Sequence, residues 1–262
     1  MRRQALAALR CTAPHEKLAA VAALEPGMAL DVTWQSPEPA GIPGRPDRPE
    51  LVGPFQVKQR SMNSPSGRAA LIHSLVHIEF NAINLALDIV WRFGGMPQDF
   101  YLDWIQVARE EAYHFELLAG HLRGMGHEYG DFPAHDGLWD MARRTSGDLL
   151  ARLALVPRTL EARGLDASPA IRQKLSSIGD AGGAAILDII LRDEIGHVAV
   201  GNKWYGYLCR QQGLDPVAQY RELARQYRAP RQRGPFNMDA RREAGFSQAE
   251  LDALLEQAVS PG

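Results

Sequence analysis

From residue 65 onward the apolar positions recur at helical spacing. Ile72, Leu75, Val76, Ile83, Ala86, Leu87 and Val90 line one face of a helix. Ser64 followed by Pro65 supplies a start signal, and Gly94-Gly95 stops the helix after Phe93. A second helix opens at Pro97, buries Trp104, Ala108, Phe115, Leu118 and Leu122, and ends near Met125 between two glycines. About a dozen polar residues, including Pro133, then lead to a third helix near Leu138. At roughly 3.3 Å per residue that connection reaches about the length of a helical bundle, which suits a long crossover. The third helix carries Leu150, Leu153 and Ala154, meets Pro157, and is expected to end at Arg163-Gly164. Ser168-Pro169 restarts a helix as far as the glycines at 179, 182 and 183. A fourth long helix runs to about Gln212 with the stripe Ile186, Ile190, Gly201 and Trp204. Asp215-Pro216 and the capping box Ser247-Gln-Ala-Glu250 start short C-terminal helices. No segment alternates with the period of a strand, so the fold class is all-α.

The first quarter of the chain differs. Residues 1 to about 24 are rich in alanine and leucine and predict one or two short helices. Between Glu25 and Ser66 the prolines at 26, 37, 39, 43, 46, 49, 54 and 65 forbid a long helix, so this stretch reads as an extended arm. The expected organisation is therefore an N-terminal helix and Pro-rich arm over 1–64, a four-helix bundle over 65–212 and a helical extension over 213–262.

Acidic residues interrupt the apolar stripes. Two Glu-x-x-His tetrads, Glu111-Ala-Tyr-His114 and Glu194-Ile-Gly-His197, lie 83 residues apart. Glu79 precedes the first by 32 residues and Glu161 the second by 33. Each tetrad places Glu and His on one helical face, where the two side chains can grip one ion. Chance alone supplies about half a tetrad in a chain with this many Glu and His, so a single one would carry no weight. Counting along the helices sharpens the case. Glu79 lies about 14 residues before the turn at 94–96 and Glu111 lies 14 after Pro97, so both stand about 21 Å from that turn. Carboxylates on core faces are costly unless paired or metal-bound. The expected metal ligands are Glu79, Glu111, His114, Glu161, Glu194 and His197, four carboxylates and two imidazoles in two half-sites. Pro157 and the break at 164–168 predict a distorted segment beside Glu161. Glu110, Asp193, His73 and His77 fall off the ligand faces and are read as packing or supporting groups, and the loop residues His127 and His135 as exposed.

Composition permits this reading and excludes others. The chain of 262 residues is 45% hydrophobic and 23% charged with a net charge of −2, which forecasts no polyanion partner. Cys11 and Cys209 form neither a metal knuckle nor a disulfide framework, as expected of a reducing compartment. Arg10, Glu16 and Lys17 break the apolar stretch after Met1-Arg2-Arg3 too early for a secretory leader. No uncharged apolar run approaches the roughly 18 residues of a membrane span, and a cytoplasmic location is expected.

The set Glu79, Glu111-x-x-His114, Glu161, Glu194-x-x-His197 resembles the ferritin-like superfamily of di-iron carboxylate proteins over residues 65 to 212. More narrowly, His77-Ile-Glu79, Arg109-Glu-Glu-Ala-Tyr-His114, Pro157-Arg-Thr-Leu-Glu161-Ala-Arg-Gly-Leu-Asp166 and Arg192-Asp-Glu-Ile-Gly-His197 look like a ferritin-like bacterial family of unknown function, domain of unknown function 455. The half-site spacing is also similar to that of the tRNA-modifying di-iron hydroxylase. The resemblance implies a ferritin-like four-helix bundle with one long crossover. It also implies two metal ions bridged by Glu111 and Glu194, with Glu79 and Glu161 terminal and one His per ion. Oxygen and imidazole donors suit iron first and manganese second.

The expected function is a di-iron or di-manganese oxidoreductase that activates O2 or peroxide and hydroxylates a substrate. The alternatives are an iron-handling ferroxidase and a manganese-catalase or peroxidase activity. A Cys-x-x-Cys electron-transfer module is absent, so an external electron donor is required. The substrate classes are a small molecule or an RNA, the latter because seven arginines between 221 and 242 are interleaved with Tyr220, Tyr227 and Phe236. Arginines beside Glu222, Asp239 and Glu243 read more simply as a solvated face. No membrane partner is expected, and a homodimer is an allowed assembly.

Overall fold

A computed structural model of the chain describes residues 1–57 and 60–259, without the side chains of 258 and 259. Among these residues the regular structure is helical and only an isolated bridge, Leu51 to Ala134, resembles sheet. The chain divides into two compact units, Met1–Trp139 and Asp140–Gly262.

In the first unit α1 (Arg2–Arg10) and α2 (Pro14–Ala22) precede a proline-rich segment with a single 3-10 turn, Pro54–Gln56. Two long helices follow, α3 (Pro65–Arg92) and α4 (Gln98–Gly124). Ser64 caps α3 by accepting from the Gly67 N–H at 3.1 Å, so the serine-proline start signal acts as the sequence suggests. The turn between α3 and α4 bends at Gly95, whose φ of +76° favours glycine. Tyr101 fixes this turn: its hydroxyl donates to the Phe93 carbonyl at 3.1 Å and accepts from the Met96 N–H at 3.2 Å.

The α3–α4 pair forms the core of the unit, with α1 packed on α3 and α2 on α4. Ile72, Val76, Ile83, Leu87 and Val90 of α3 and Trp104, Ala108, Phe115, Leu118 and Leu122 of α4 are all buried, as their periodicity predicts. The extended arm is held at the last turn and at the middle of α3. Arg2 is 3% exposed and donates to the last-turn carbonyls Val90 (3.2 Å) and Trp91 (2.7 Å) and to Val32 of the arm (3.1 Å). Arg45 of the arm pairs with Asp136 and donates to the Asn81 amide oxygen at 3.2 Å. By length and composition α3 is the one described helix able to cross a membrane, yet 72% of its most apolar window is buried inside the fold.

The division between units falls inside α5 (Gly137–Arg144). The second unit continues with α6 (Leu149–Leu155), a π-helical segment Val156–Glu161, α7 (Ala162–Ser177) and α8 (Ala181–Gln212). Three short helices complete it: α9 (Pro216–Gln226), α10 (Met238–Glu243) and α11 (Gln248–Val259). α7 and α8 pack side by side, and Ala162, Leu165, Val198, Ala240 and Ala244 form a buried cluster among α7, α8 and α10.

Two expectations for this stretch are corrected. The helix expected from Leu138 is two pieces, broken at 145–148, because Asp148 accepts from the Ala151 N–H at 2.9 Å and starts α6 anew. The helix expected to end at Gly164 instead runs through Gly164 and Pro169 to Ser177. A proline inside a helix leaves the carbonyl four residues back without its donor. Here that carbonyl, Leu165, accepts from the Asn237 side-chain amide at 3.2 Å. A long-range partner therefore replaces the bond that local sequence removes, and the helix continues.

Candidate metal centre

Within the first unit, α3 contributes Glu79 and α4 contributes Glu111 and His114. Their exposures are 4%, 0% and 0%. The candidate ligand atoms of these three residues lie within 4.8 Å of one another. His114 Nδ1 is 3.5 Å from Glu111 Oε2 and 3.8 Å from Glu79 Oε2. The equal heights counted from the Gly95 turn thus become proximity, because two antiparallel helices leaving one tight turn must meet at equal rise.

The electrostatics of this trio are compatible with a bound cation. Burial, and then the neighbouring Glu111, push the Glu79 carboxyl well above the usual carboxylate range. Burial opposes charge on His114, but Glu111 and Glu79 overcome it and hold the imidazole protonated, pushed up to about 11. Protons thus gather on groups that are hard to ionise together. Glu79 Oε2 is buried and accepts no hydrogen bond. An oxygen so placed costs free energy unless a cation meets it. The carboxylate and imidazole donors suit a divalent first-row metal, so the residues present fit one.

Within the second unit, Glu194 and His197 repeat the i, i+3 pairing on α8, with His197 Nδ1 3.7 Å from Glu194 Oε1 and exposures of 8% and 1%. Ile190, Gly201 and Trp204 share their buried face. Glu161 is half-buried and ends the π-helical segment, so the distortion expected near Pro157 lies directly before the expected ligand. The segment is packed tightly: a Cβ on Gly201 of α8 would come within 2.8 Å of Pro157 Cβ. Thr159 donates to the Ala154 carbonyl at 2.9 Å, completing a turn that an ordinary helical bond does not close.

The flanking histidines do structural work. His73 Nε2 accepts from the Gly130 N–H at 2.9 Å, and burial lowers its pKa to about 4. His77 meets the Tyr129 hydroxyl at 2.9 Å and the His135 carbonyl at 3.2 Å. Nε2 also lies 3.0 Å from the Asn81 side-chain nitrogen. Both histidines tie the loop after α4 onto α3. Among the loop histidines, His135 is exposed as expected, whereas His127 is half-buried and lies 3.4 Å from Asp131. Glu110 accepts from Gln106 at 2.7 Å and Asp193 pairs with Arg192, both beside the ligand faces. Sequence reasoning passed over Asp88, a fully buried carboxylate that accepts from Trp91 and Arg92; its i, i+4 spacing to Arg92 was the available signal.

The family model described as "Protein of unknown function (DUF455)" matches residues 10–252. The chain belongs to the DUF455 family. A protein of Haemophilus influenzae (strain ATCC 51907 / DSM 11121 / KW20 / Rd), described as an uncharacterized protein, is 50% identical over 218 residues, covering 80% of this DUF455 chain and 76% of that relative. No solved structure matches the chain. The family match spans both tetrads, Glu79 and Glu161, so all six expected ligands lie inside the DUF455 region.

Proposed function

We propose that this DUF455 protein is a dinuclear metal oxidoreductase, with iron the better-suited metal and manganese the alternative. In this reading the half-site Glu79, Glu111 and His114 and the half-site Glu161, Glu194 and His197 face a common centre, and the long helices α3, α4 and α8 with the α6–α7 segment make a ferritin-like bundle. The observation that carries the proposal is the buried trio of Glu79, Glu111 and His114, repeated at the same i, i+3 spacing by Glu194 and His197. Gathering several carboxylates in a buried site is expensive even beside imidazoles, and a structure that keeps them needs a reason.

Glu111 and Glu194 would bridge the ions, Glu79 and Glu161 would bind terminally, and one imidazole would serve each metal. A reduced pair of such ions supplies two electrons to O2 or peroxide. The chain's own residues do the rest. Ala108 and Phe115 lie within one turn of Glu111 on α4 and Ile83 within one turn of Glu79 on α3, and all three are buried apolar residues. Glu79 and His114, which favour their protonated forms in the metal-free site, would release those protons as ions enter.

A small molecule suits this proposal better than RNA. Arg221, Arg225 and Arg242 pair with Glu256, Glu222 and Asp239, and Arg241 is buried against Asp166, which spends much of the basic C-terminal region. The test is absorption spectroscopy of iron-loaded protein through reduction and O2 exposure. A ferric charge-transfer band that bleaches on reduction and returns with O2 supports redox turnover. Accumulating ferric mineral would favour iron handling, and O2 release from peroxide by the manganese form would favour catalase activity. Absence of any metal-dependent band or activity would overturn the proposal.

A further inference from the structure

A cavity lies wholly within the second unit, with Arg158 of the π-helical segment in its wall. It occupies about 30 Å³ and is walled by Arg158, Tyr220, Arg241, Phe246 and Leu254 among others. The two arginines are unusual. Arg158 is 3% and Arg241 0% exposed, so neither guanidinium reaches bulk water. Each is anchored on two edges. Arg158 donates through Nε to Asn202 and through Nη2 to Glu250. Arg241 donates through Nε (3.1 Å) and Nη2 (2.7 Å) to Asp166 and through Nη2 to Gln232 Oε1 (3.1 Å). In both, Nη1 is buried without a hydrogen-bond partner.

Several of the nearby acceptors are already engaged. Glu250 uses Oε1 on Arg158, while Oε2 accepts from the Ser247 N–H and hydroxyl at 2.9 and 2.8 Å. Gln232 Oε1 is taken by Arg241, and Gln232 Nε2 donates to the Tyr220 hydroxyl at 2.8 Å. Thr159 spends its proton on the Ala154 carbonyl, so Tyr220 donates to Thr159 at 3.0 Å. The four charged lining residues are three arginines, 158, 221 and 241, and one glutamate. The rings of Phe246 and Tyr220 flank Arg158 at 5.1 and 5.8 Å and Phe246 lies 5.4 Å from Arg241, holding the guanidinium planes in place.

A buried guanidinium donor without an acceptor is costly, and two arginines that each keep one such donor line this one cavity. We infer that this cavity binds the carboxylate group of a small organic acid. The space holds one or two waters, or a flat carboxylate, and is tight for a tetrahedral phosphate. Carboxylate geometry also matches the planar guanidinium edge. The apolar wall of Leu254 and Ala253 suits a short aliphatic tail. The inference does not depend on a metal being bound.

The experiment is a thermal-shift titration of the full chain with sodium propionate, ionic strength held constant with chloride, beside parallel titrations with inorganic phosphate. Propionate is expected to raise Tm saturably, as a ligand selective for the folded state must. Ala253→Phe and Val217→Phe fill the cavity without replacing either arginine, and each is expected to raise the half-saturating concentration at least tenfold. Arg158→Lys keeps the charge but removes the planar edge and should weaken propionate as well. A linear shift, a shift that chloride reproduces, or unchanged half-saturation in whichever filling variants fold would overturn the site. Stronger stabilisation by phosphate than by propionate would overturn the carboxylate assignment.

Discussion

His114 Nδ1 lies 3.8 Å from Glu79 Oε2, although the two residues stand on different helices and 35 positions apart. Their meeting is set by the tight turn at Gly95 and by nearly equal helical distances on either side of it. Both side chains are buried, and Glu111 makes the third member of a group that ordinary packing would not select.

Such a group favours function over stability. Replacing Glu79 with leucine removes a buried carboxyl and should stabilise the metal-free protein by about 1–3 kcal/mol, since apolar replacements of buried charge are commonly neutral or stabilising. The same substitution should abolish metal-dependent stabilisation. Urea unfolding with and without added Fe(II) measures both. A large loss of stability in the metal-free variant would show instead that Glu79 is a structural partner of His114.

Acid should loosen the connection between α4 and α5 before it touches the rest. His73 takes up its proton near 4 in the folded protein and near 6.5 when unfolded, because burial opposes its charge. Above 6.5 the group is neutral in both states and has no effect. As pH falls from 6.5 to 4 the unfolded chain gains a proton that the folded chain refuses, so stability falls through that window by no more than about 3 kcal/mol and then levels. Protonation would also remove the Nε2 acceptor from the Gly130 N–H. Unfolding free energy against pH should show this slope in the native protein and a shallower one in His73→Gln; equal slopes would remove His73 as the cause.

Gly201 is required by close approach. A Cβ there would lie 2.8 and 2.9 Å from two carbons of Pro157, a rigid ring that cannot move aside. Gly201→Val should destabilise the fold by about 1–3 kcal/mol through overpacking. It should also shift the π-helical segment that carries Glu161, which lowered metal affinity would register. A fully stable variant with normal affinity would show that the segment is more yielding than this contact implies.

The bond from Asn237 to the Leu165 carbonyl predicts a coupling. Asn237→Ala removes that donor and the cap of α10, with an expected cost of about 1–2 kcal/mol. In a Pro169→Ala background the backbone N–H returns to the Leu165 carbonyl, so the same substitution should cost less. A double-mutant cycle measures the difference, and strict additivity would argue against the compensation.

Much of this was legible in the sequence, for identifiable reasons. Ser64-Pro65, Asp215-Pro216 and the Ser247 capping box are local signals, and each helix starts where they place it. The α3 and α4 stripes are long and regular, so Glu79 and Glu111 could be counted to equal height. The path near residue 164 was misread because its continuity depends on Asn237, 72 positions away in sequence from Leu165. The break at 145–148 was missed because Asp148 looks like any acidic residue until its cap is seen. Arg241 was read as part of a solvated basic face, since no local pattern shows that Asp166 and Phe246 enclose it.

The most direct measurement is the metal content of protein loaded with Fe(II) and freed of loosely held ions, by mass spectrometry of native chain, Glu111→Ala and His197→Ala. Two ions per chain are expected in the native protein, with a loss in both variants, because one lies in each half-site. Fewer than one ion per native chain, or an unchanged content in both variants, would contradict the dinuclear centre.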